Sequence, residues 1–220
     1  MNFITVHIHS FVNLLFIGLI ALFPVVNPIG SAFIVNPYLS KLADVEKKAA
    51  VKKITFYAFS ICVVSLFAGH WIMQLFGISI PVIQLAGGIM ICKMGWDSLS
   101  DNQDQSSTET PATDQSINIS NNLFYPLTFP VTTGAGTISV LFTLSAHSAN
   151  ADWGSYLVNT LAILTAIVVM CLLVFIFYGN TKRLMHRLDG NGRKVLNRIS
   201  AFLIFCVGLQ VAVSGIKGLL

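Results

Sequence analysis

Two related stretches decide the fold: residues 22–35 read LFPVVNPIGSAFIV, and residues 128–141 read TFPVTTGAGTISVL. At an offset of 106 positions the two stretches share a Phe-Pro-Val run and a glycine, and Ser31 aligns with Thr137. Prolines in both stretches lack an amide hydrogen and crowd the carbonyl one turn earlier. The chain therefore predicts two matched helix breaks, one in each half.

The composition around these stretches is that of a membrane protein. Apolar types make up 55% of the 220 residues and charged types only 10%, against roughly 25% charged in ordinary soluble domains. So few charges could not cover the surface of a soluble globule. This excludes a water-soluble enzyme, a disordered protein and a nucleic-acid-binding protein, despite the net charge of +4. The composition predicts an all-α integral membrane protein in contact with lipid.

Six stretches have the length and composition of transmembrane helices. A helix of about 20 residues crosses a hydrocarbon core of about 30 Å. Residues 54–92 contain no charged side chain, but turn residues at 76–81 divide this stretch into two helices joined by a hairpin. Residues 101–122 are polar and acidic and predict a flexible linker. The predicted spans are 11–35, 54–76, 81–99, 123–145, 153–178 and 199–216.

The repeat and the span count together predict two inverted halves, 1–100 and 123–220, joined by the linker at 101–122. Each half has three spans, an odd number, so similar halves must cross the membrane in opposite directions, as in many secondary transporters. Of the 13 Lys and Arg residues, five lie at 41–53 and six at 182–198. The positive-inside rule places these two loops and the linker in the cytoplasm and both termini in the periplasm. We favour this interpretation of the basic loops over anionic-lipid binding.

Paired broken helices at matching positions are the best sequence indication of a substrate site at the membrane midplane. Asn27 and Gly30 favour turns rather than repairing the helix, and freed backbone groups must be satisfied by protein or by a water-filled cavity. Free amides suit a carboxylate, whereas carbonyls and the hydroxyls of Thr132, Thr133 and Ser139 suit an ammonium group or a small cation. The alternative is that prolines and glycines only shape helix packing. The predicted substrate-binding residues are Asn27, Pro28, Gly30, Ser31, Thr132, Thr133, Gly134, Gly136 and Thr137.

The predicted site carries no charge of its own. No Asp, Glu, Lys or Arg lies near the centre of a span, and Lys93 lies near a cytoplasmic end, where we expect it to snorkel. A net-neutral zwitterion fits such a site better than a charged substrate, whose unpaired charge would be costly. Because intramembrane carboxylates are missing, sodium coupling or simple exchange is favoured over proton coupling.

Two other functional classes are open to such a chain. An intramembrane enzyme needs convergent nucleophiles, acids or metal ligands, but His7 and His9 form only an isolated pair. The sequence predicts no catalytic residue, no metal site and no cofactor. The second class is an accessory or structural membrane protein, in which Asn27 and Thr133 would stay packed instead of opening to each side in turn. The four cysteines, which predict reduced core residues, are Cys62, Cys92, Cys171 and Cys206.

Several motifs together resemble the MarC family of six-span bacterial inner-membrane proteins, which is also classed with small neutral amino acid transporters. They are FPVVNPIG at 23–30, GISIPVIQLAGGIM at 77–90, PLTFPVTTGAGTIS at 126–139, RISAFLIFCVGLQ at 198–210 and SGIKG at 214–218. The resemblance covers nearly the whole chain except the linker. It implies an inner-membrane location and transport of small neutral amino acids such as glycine, alanine or serine.

One departure from the family pattern lies in the second stretch. The usual Gly-Pro-Gly of the family is Gly134-Ala135-Gly136 here, and the missing proline predicts a softer second break. With the resemblance included, the expected partners are a small neutral amino acid, a sodium ion and membrane lipid, but no nucleic acid. The prediction also allows a homo-oligomer.

Overall fold

The fold is helical, with short breaks and turns, over residues 3–100, 123–149, 153–187 and 190–220, which a computed structural model of the chain describes. No strand occurs in these ranges. A bent segment, Leu123–Thr132, precedes the fifth helix and is named here the 123–132 segment. The helices are α1 Phe3–Val26, α2 Pro28–Leu39, α3 Asp44–Phe76, α4 Ile80–Ser100, α5 Ala135–Ala149, α6 Trp153–Gly179, α7 Thr181–Arg187 and α8 Gly190–Leu219.

Four helical stretches of the described chain are long and apolar enough to cross a membrane, and a fifth joins them if the 123–132 segment and α5 form one bent span. The four are 8–39, 44–69, 154–179 and 198–219. Helix α4 falls outside this set, and its 21 residues include Gln84, Lys93 and Asp97. Five of the six predicted spans therefore have a counterpart by length and composition, and the sixth stays a prediction.

The two basic regions are more helical than the sequence predicted. Helix α3 begins at Asp44, so four of the lysines assigned to the first loop lie in its first turns. The Glu46 side chain accepts a hydrogen bond from the Ala43 amide at 3.3 Å, and acidic residues in a first turn complement the helix dipole. Much of the predicted fifth loop likewise lies in α7 and at the start of α8. The predicted linker at 101–122 lies outside the described residues.

The predicted break between α3 and α4 is confirmed, but the two helices make few contacts with each other, so a tightly packed hairpin is not seen. Gly77 has a φ of 64° and ends α3, a left-handed conformation that glycine adopts without a side-chain clash. The Ile78 amide donates to the Met73 carbonyl at 2.9 Å. The turn from Phe76 to Ile80 therefore leads the chain directly into α4.

Helices from the two halves pack against each other rather than forming separate units. Helix α1 lies along α6, α3 contacts both α5 and α6, and α4 lies along α8. Many large apolar side chains face outwards, and Ile20 and Leu161 are more than half exposed. An apolar exterior of this extent is expected where lipid, rather than water, surrounds the protein. The fully buried aliphatic core includes Leu22, Val35, Ile54, Ile91, Leu141, Ile163, Ile167 and Val174.

Candidate substrate site at two helix breaks

The first break is a single residue, Asn27, between α1 and α2. Its backbone is left-handed, with a φ of 42°, because Pro28 disfavours helical geometry at the preceding residue and asparagine tolerates this region. The Asn27 side-chain oxygen accepts a hydrogen bond from the Gly30 amide at 3.0 Å. Ser31 donates its hydroxyl to the Asn27 carbonyl at 2.8 Å. Asn27 is non-helical, as expected, but it also caps α2, and Gly30 lies inside that helix, so the expectation that neither residue repairs the break is wrong.

The second break is longer and sharper than the first. Tyr125 and Phe129 have extended backbones, and each precedes a proline, which disfavours the helical conformation. The 123–132 segment and α5 meet at 62°. The prolines at 126 and 130 lie within the bent segment, ahead of the glycines, and the softening expected from the missing proline at 135 stays a prediction.

Threonine hydroxyls replace part of the lost hydrogen bonding at the second break. Thr128 donates to the Leu123 carbonyl and Thr132 to the Leu127 carbonyl, both at 2.7 Å. Thr133 donates its hydroxyl to the Thr128 carbonyl at 3.3 Å. These three threonines are at most 2% exposed. Freed carbonyls are thus satisfied within the protein, as the hydrocarbon environment requires.

One buried phenol joins the two breaks. Tyr178 of α6 is fully buried, and its hydroxyl lies 2.8 Å from the Thr132 hydroxyl. Because the single Thr132 proton is donated to the Leu127 carbonyl, Tyr178 acts as the donor to Thr132. The Ser31 hydroxyl faces the same phenol group. Residues after the first break and within the second therefore meet on one side chain from α6.

A close contact at Gly136 also brings the second break against the first half. A Cβ atom added to Gly136 would lie 2.9 Å from Val25 Cγ1 and 3.0 Å from Ile91 Cγ1. The first of these atoms belongs to the residues just before Asn27, and the second belongs to α4. Glycine at this position therefore lets the second break lie against Val25 and Ile91, because any larger residue would push these segments apart.

Known proteins are similar to this chain over almost its entire length. The profile of MarC family integral membrane proteins matches residues 12–220. The chain belongs to the MarC family. The UPF0056 inner membrane proteins MarC of Escherichia coli K12, Escherichia coli O1:K1 and Shigella flexneri are each 27% identical over 214 residues. The alignment covers 91% of this chain and 92% of each relative. No solved structure matches significantly.

Membership of the MarC family and the apolar helices identify an integral, multi-pass protein of the inner membrane. The resemblance predicted from the sequence motifs is thereby confirmed. Within the part of this MarC-family chain that the structure describes, no group of three or more His, Cys, Asp or Glu residues is placed to hold a metal ion.

All nine predicted site residues of this MarC-family protein lie at the two breaks. Seven are buried, and Asn27 and Gly134 are half-buried. Ser139, predicted from the sequence as a further ligand, instead packs against Gly87, where an added Cβ would lie 2.8 Å from the Ser139 hydroxyl oxygen. Thr137 is fully buried, and its hydroxyl has no hydrogen-bond partner in the described part of the chain.

Sequence reasoning missed three residues beside the site. Tyr178 is one aromatic residue in an apolar helix and gives no signal of its own. Lys47, interpreted from the sequence as a loop residue that anchors topology, is only 5% exposed and donates to the Thr181 hydroxyl at 2.9 Å. Thr181 follows Tyr178 by three residues, so the two lie on the same face where α6 passes into α7. An exposed ion pair between Asp44 and Lys182, at 3.1 Å, joins the same two regions.

Proposed function

We propose that this chain is a secondary transporter of small neutral amino acids, with its substrate site where the two broken helices meet. The observation that carries the proposal is the hydrogen bond between the buried Tyr178 phenol and Thr132 in the second break, with Ser31 of the first break beside the same phenol. Matched breaks in two halves are typical of transporter sites at the midplane. Separate breaks that served only helix packing would have no reason to lie beside the same buried polar side chain.

Reciprocal contacts between α4 and α8 support an inverted repeat of three spans in each half. The ICKMG motif of α4 aligns with the IFCVG motif of α8, so Cys92 matches Phe205 and Gly95 matches Gly208. A Cβ added to Gly95 would lie 2.6 Å from the Phe205 amide nitrogen, and one added to Gly208 would lie 2.5 Å from that of Cys92. Such reciprocity, in which i contacts j and j contacts i, is the mark of a two-fold axis. Helix α4 is then the sixth span, paired with α8.

The chemistry of the site supports a small, net-neutral substrate. Neither repeated stretch, 22–35 or 128–141, contains an acidic or basic residue, so an isolated charge there would lack a partner. Backbone amides, carbonyls and hydroxyls can hold both ends of a zwitterion. The close contact of Gly136 with Val25 leaves little room for a large side chain. Glycine, alanine and serine fit these limits.

The proposal includes orientation and coupling. The basic regions at 41–53 and 182–198 face the cytoplasm by the positive-inside rule, which places both termini in the periplasm. No carboxylate lies within the repeated stretches to relay protons, so sodium coupling or exchange of one amino acid for another drives transport.

The test is counterflow in liposomes that contain the purified protein. Labelled glycine or alanine outside should accumulate when unlabelled alanine is loaded inside, and should do so saturably. Arginine and tryptophan loaded inside should not drive accumulation. A non-transporting accessory protein is the alternative favoured by the closed packing of Ser31, Thr132 and Thr133. It predicts no counterflow from a preparation whose correct insertion is verified, and that result would overturn the transport proposal.

A further inference from the structure

We infer that the carboxylate of the substrate binds at the amino-terminal end of α5, and not at that of α2. This inference rests on the proposed function, because it assigns one end of the proposed amino acid to one of the two breaks. Its basis is an asymmetry between positions that the repeat makes equivalent. Asn27, Gly30 and Ser31 align with Thr133, Gly136 and Thr137.

In the first half, the groups at these positions are satisfied by one another. The Gly30 amide donates to the Asn27 side chain at 3.0 Å, and the Ser31 hydroxyl donates to the Asn27 carbonyl at 2.8 Å. The Ser31 amide also donates to this carbonyl, at 2.9 Å. The first turn of α2 therefore has its own cap and offers a ligand little.

In the second half, the equivalent groups do not satisfy one another by hydrogen bonds. Thr133 directs its hydroxyl back to the Thr128 carbonyl and so does not cap α5, and Gly134 has no side chain that could. The first backbone hydrogen bond into α5 runs from the Ile138 amide to the Gly134 carbonyl at 3.2 Å. Within the described residues, the amides of Ala135, Gly136 and Thr137 have no partner outside the helix.

A buried hydroxyl beside these amides independently supports a ligand site at the start of α5. Thr137 is 0% exposed, and its hydroxyl has no partner among the described residues. A threonine in a helix ordinarily donates to the carbonyl four residues earlier, as Thr143 does to Ser139 in this same helix at 3.1 Å. Burying a hydroxyl without a partner is costly, and a side chain in the first turn tilts towards the helix start. The Thr137 hydroxyl is therefore placed to donate to a ligand at that end.

The unpartnered groups at the start of α5 are all hydrogen-bond donors. Amides and a hydroxyl at a helix start are donors, and the positive end of the helix dipole favours negative charge. A carboxylate accepts several hydrogen bonds and carries the charge that this end favours. Gly134 and Ala135 are half-buried rather than buried, so the edge of the subsite is the part that a ligand can approach first.

The test measures binding without requiring transport. Glycine and acetate should raise the melting temperature of the detergent-purified protein, since a ligand that binds only the folded state stabilises it. Glycinamide, in which an amide replaces the carboxylate, should not. Equal stabilisation by glycine and glycinamide, or none by glycine and acetate, would overturn the inference.

Two substitutions locate the subsite. Thr137→Val removes the hydroxyl at nearly constant volume and should weaken glycine affinity about tenfold or more, because a hydrogen bond to a charged group is lost. Thr143→Val is the matched control on the same helix and should bind glycine like the wild type. Thr137→Ser keeps the hydroxyl, should also bind glycine, and serves if Thr137→Val fails to fold. Unchanged affinity in Thr137→Val, or an equal loss in Thr143→Val, contradicts the assignment.

The two proposals can fail separately. If glycine binds through its carboxylate but no counterflow occurs, the transport proposal fails and the subsite stands. If counterflow occurs and Thr137→Val has wild-type glycine affinity, the subsite is wrong and the transport proposal stands.

Discussion

At the scale of single residues, the phenol of Tyr178 lies beside residues from both breaks. It is fully buried, and a buried hydroxyl without a partner would be costly. Its partner, Thr132, belongs to the segment that the prolines have taken out of regular helix geometry. The side chain of α6 therefore compensates for a defect in another part of the chain, and it does so beside Ser31.

We expect the Tyr178 and Thr132 hydroxyls to be energetically coupled. In a double-mutant cycle of Tyr178→Phe and Thr132→Val, the coupling should be about 0.6 kcal/mol and at most about 1.7 kcal/mol, the range found for hydrogen bonds between membrane helices. Thermal unfolding in detergent measures it. Thr165→Val is the control partner, because Thr165 donates to Leu161 on its own helix and lies far along α6 from Tyr178. Tyr178→Phe and Thr165→Val should add, and additivity in the main cycle as well would show that the hydroxyls do not interact.

At the scale of elements, the chain repairs its two helix breaks by different means. One asparagine, Asn27, caps α2 with its side chain, whereas threonines at 128, 132 and 133 satisfy the carbonyls before α5. The first arrangement caps the start of α2, whereas the second leaves the first amides of α5 without a partner among the described residues. Two elements related by a sequence repeat have therefore become chemically unequal.

At the same scale, the close packing of α4 against α8 predicts that larger residues at its contact glycines are destabilising. Gly95→Ala and Gly208→Ala should each lower the melting temperature, because the added methyl group would lie within 2.6 Å of backbone nitrogen on the facing helix. Overpacking of this kind costs about 1–3 kcal/mol.

Gly179→Ala is the matched control for these glycine substitutions, since an added Cβ there meets nothing within 4 Å. It should leave the melting temperature unchanged or slightly higher, as alanine favours helix more than glycine does. If all three variants melt alike, the α4–α8 contact is not close in the membrane.

At the scale of the whole molecule, contacts between the halves bring one end of α3 against the junction of α6 and α7. Lys47 is buried there with the Thr181 hydroxyl as its partner, and the exposed pair Asp44–Lys182 lies beside it. The exposed pair contributes little stability. The buried lysine therefore links the first half to the second about one turn beyond Tyr178.

The third prediction concerns orientation across the membrane. Reporter fusions near residues 105 and 190 should locate to the cytoplasm, and fusions near 79, 150 and 220 to the periplasm, because the basic regions resist translocation. Activity of paired periplasmic and cytoplasmic reporters at each site measures the side. A carboxy-terminal fusion in the cytoplasm would require an odd number of spans and would contradict two inverted halves of three.

The sequence by itself determined the membrane class, five of the spans, the turn at Gly77 and the position of both breaks. These features follow from local chemistry: apolar length, missing proline amides and the conformational freedom of glycine and asparagine. It did not determine how each break is repaired, since that depends on which hydroxyl reaches which carbonyl after bending. Only the tertiary structure decided that Tyr178 bonds Thr132 beside Ser31, that Lys47 is buried against Thr181, and that Thr137 has no hydroxyl partner among the described residues. The physical reason is that these contacts join residues 46 to 147 positions apart along the chain, where no periodicity or spacing in the sequence records which side chains will meet.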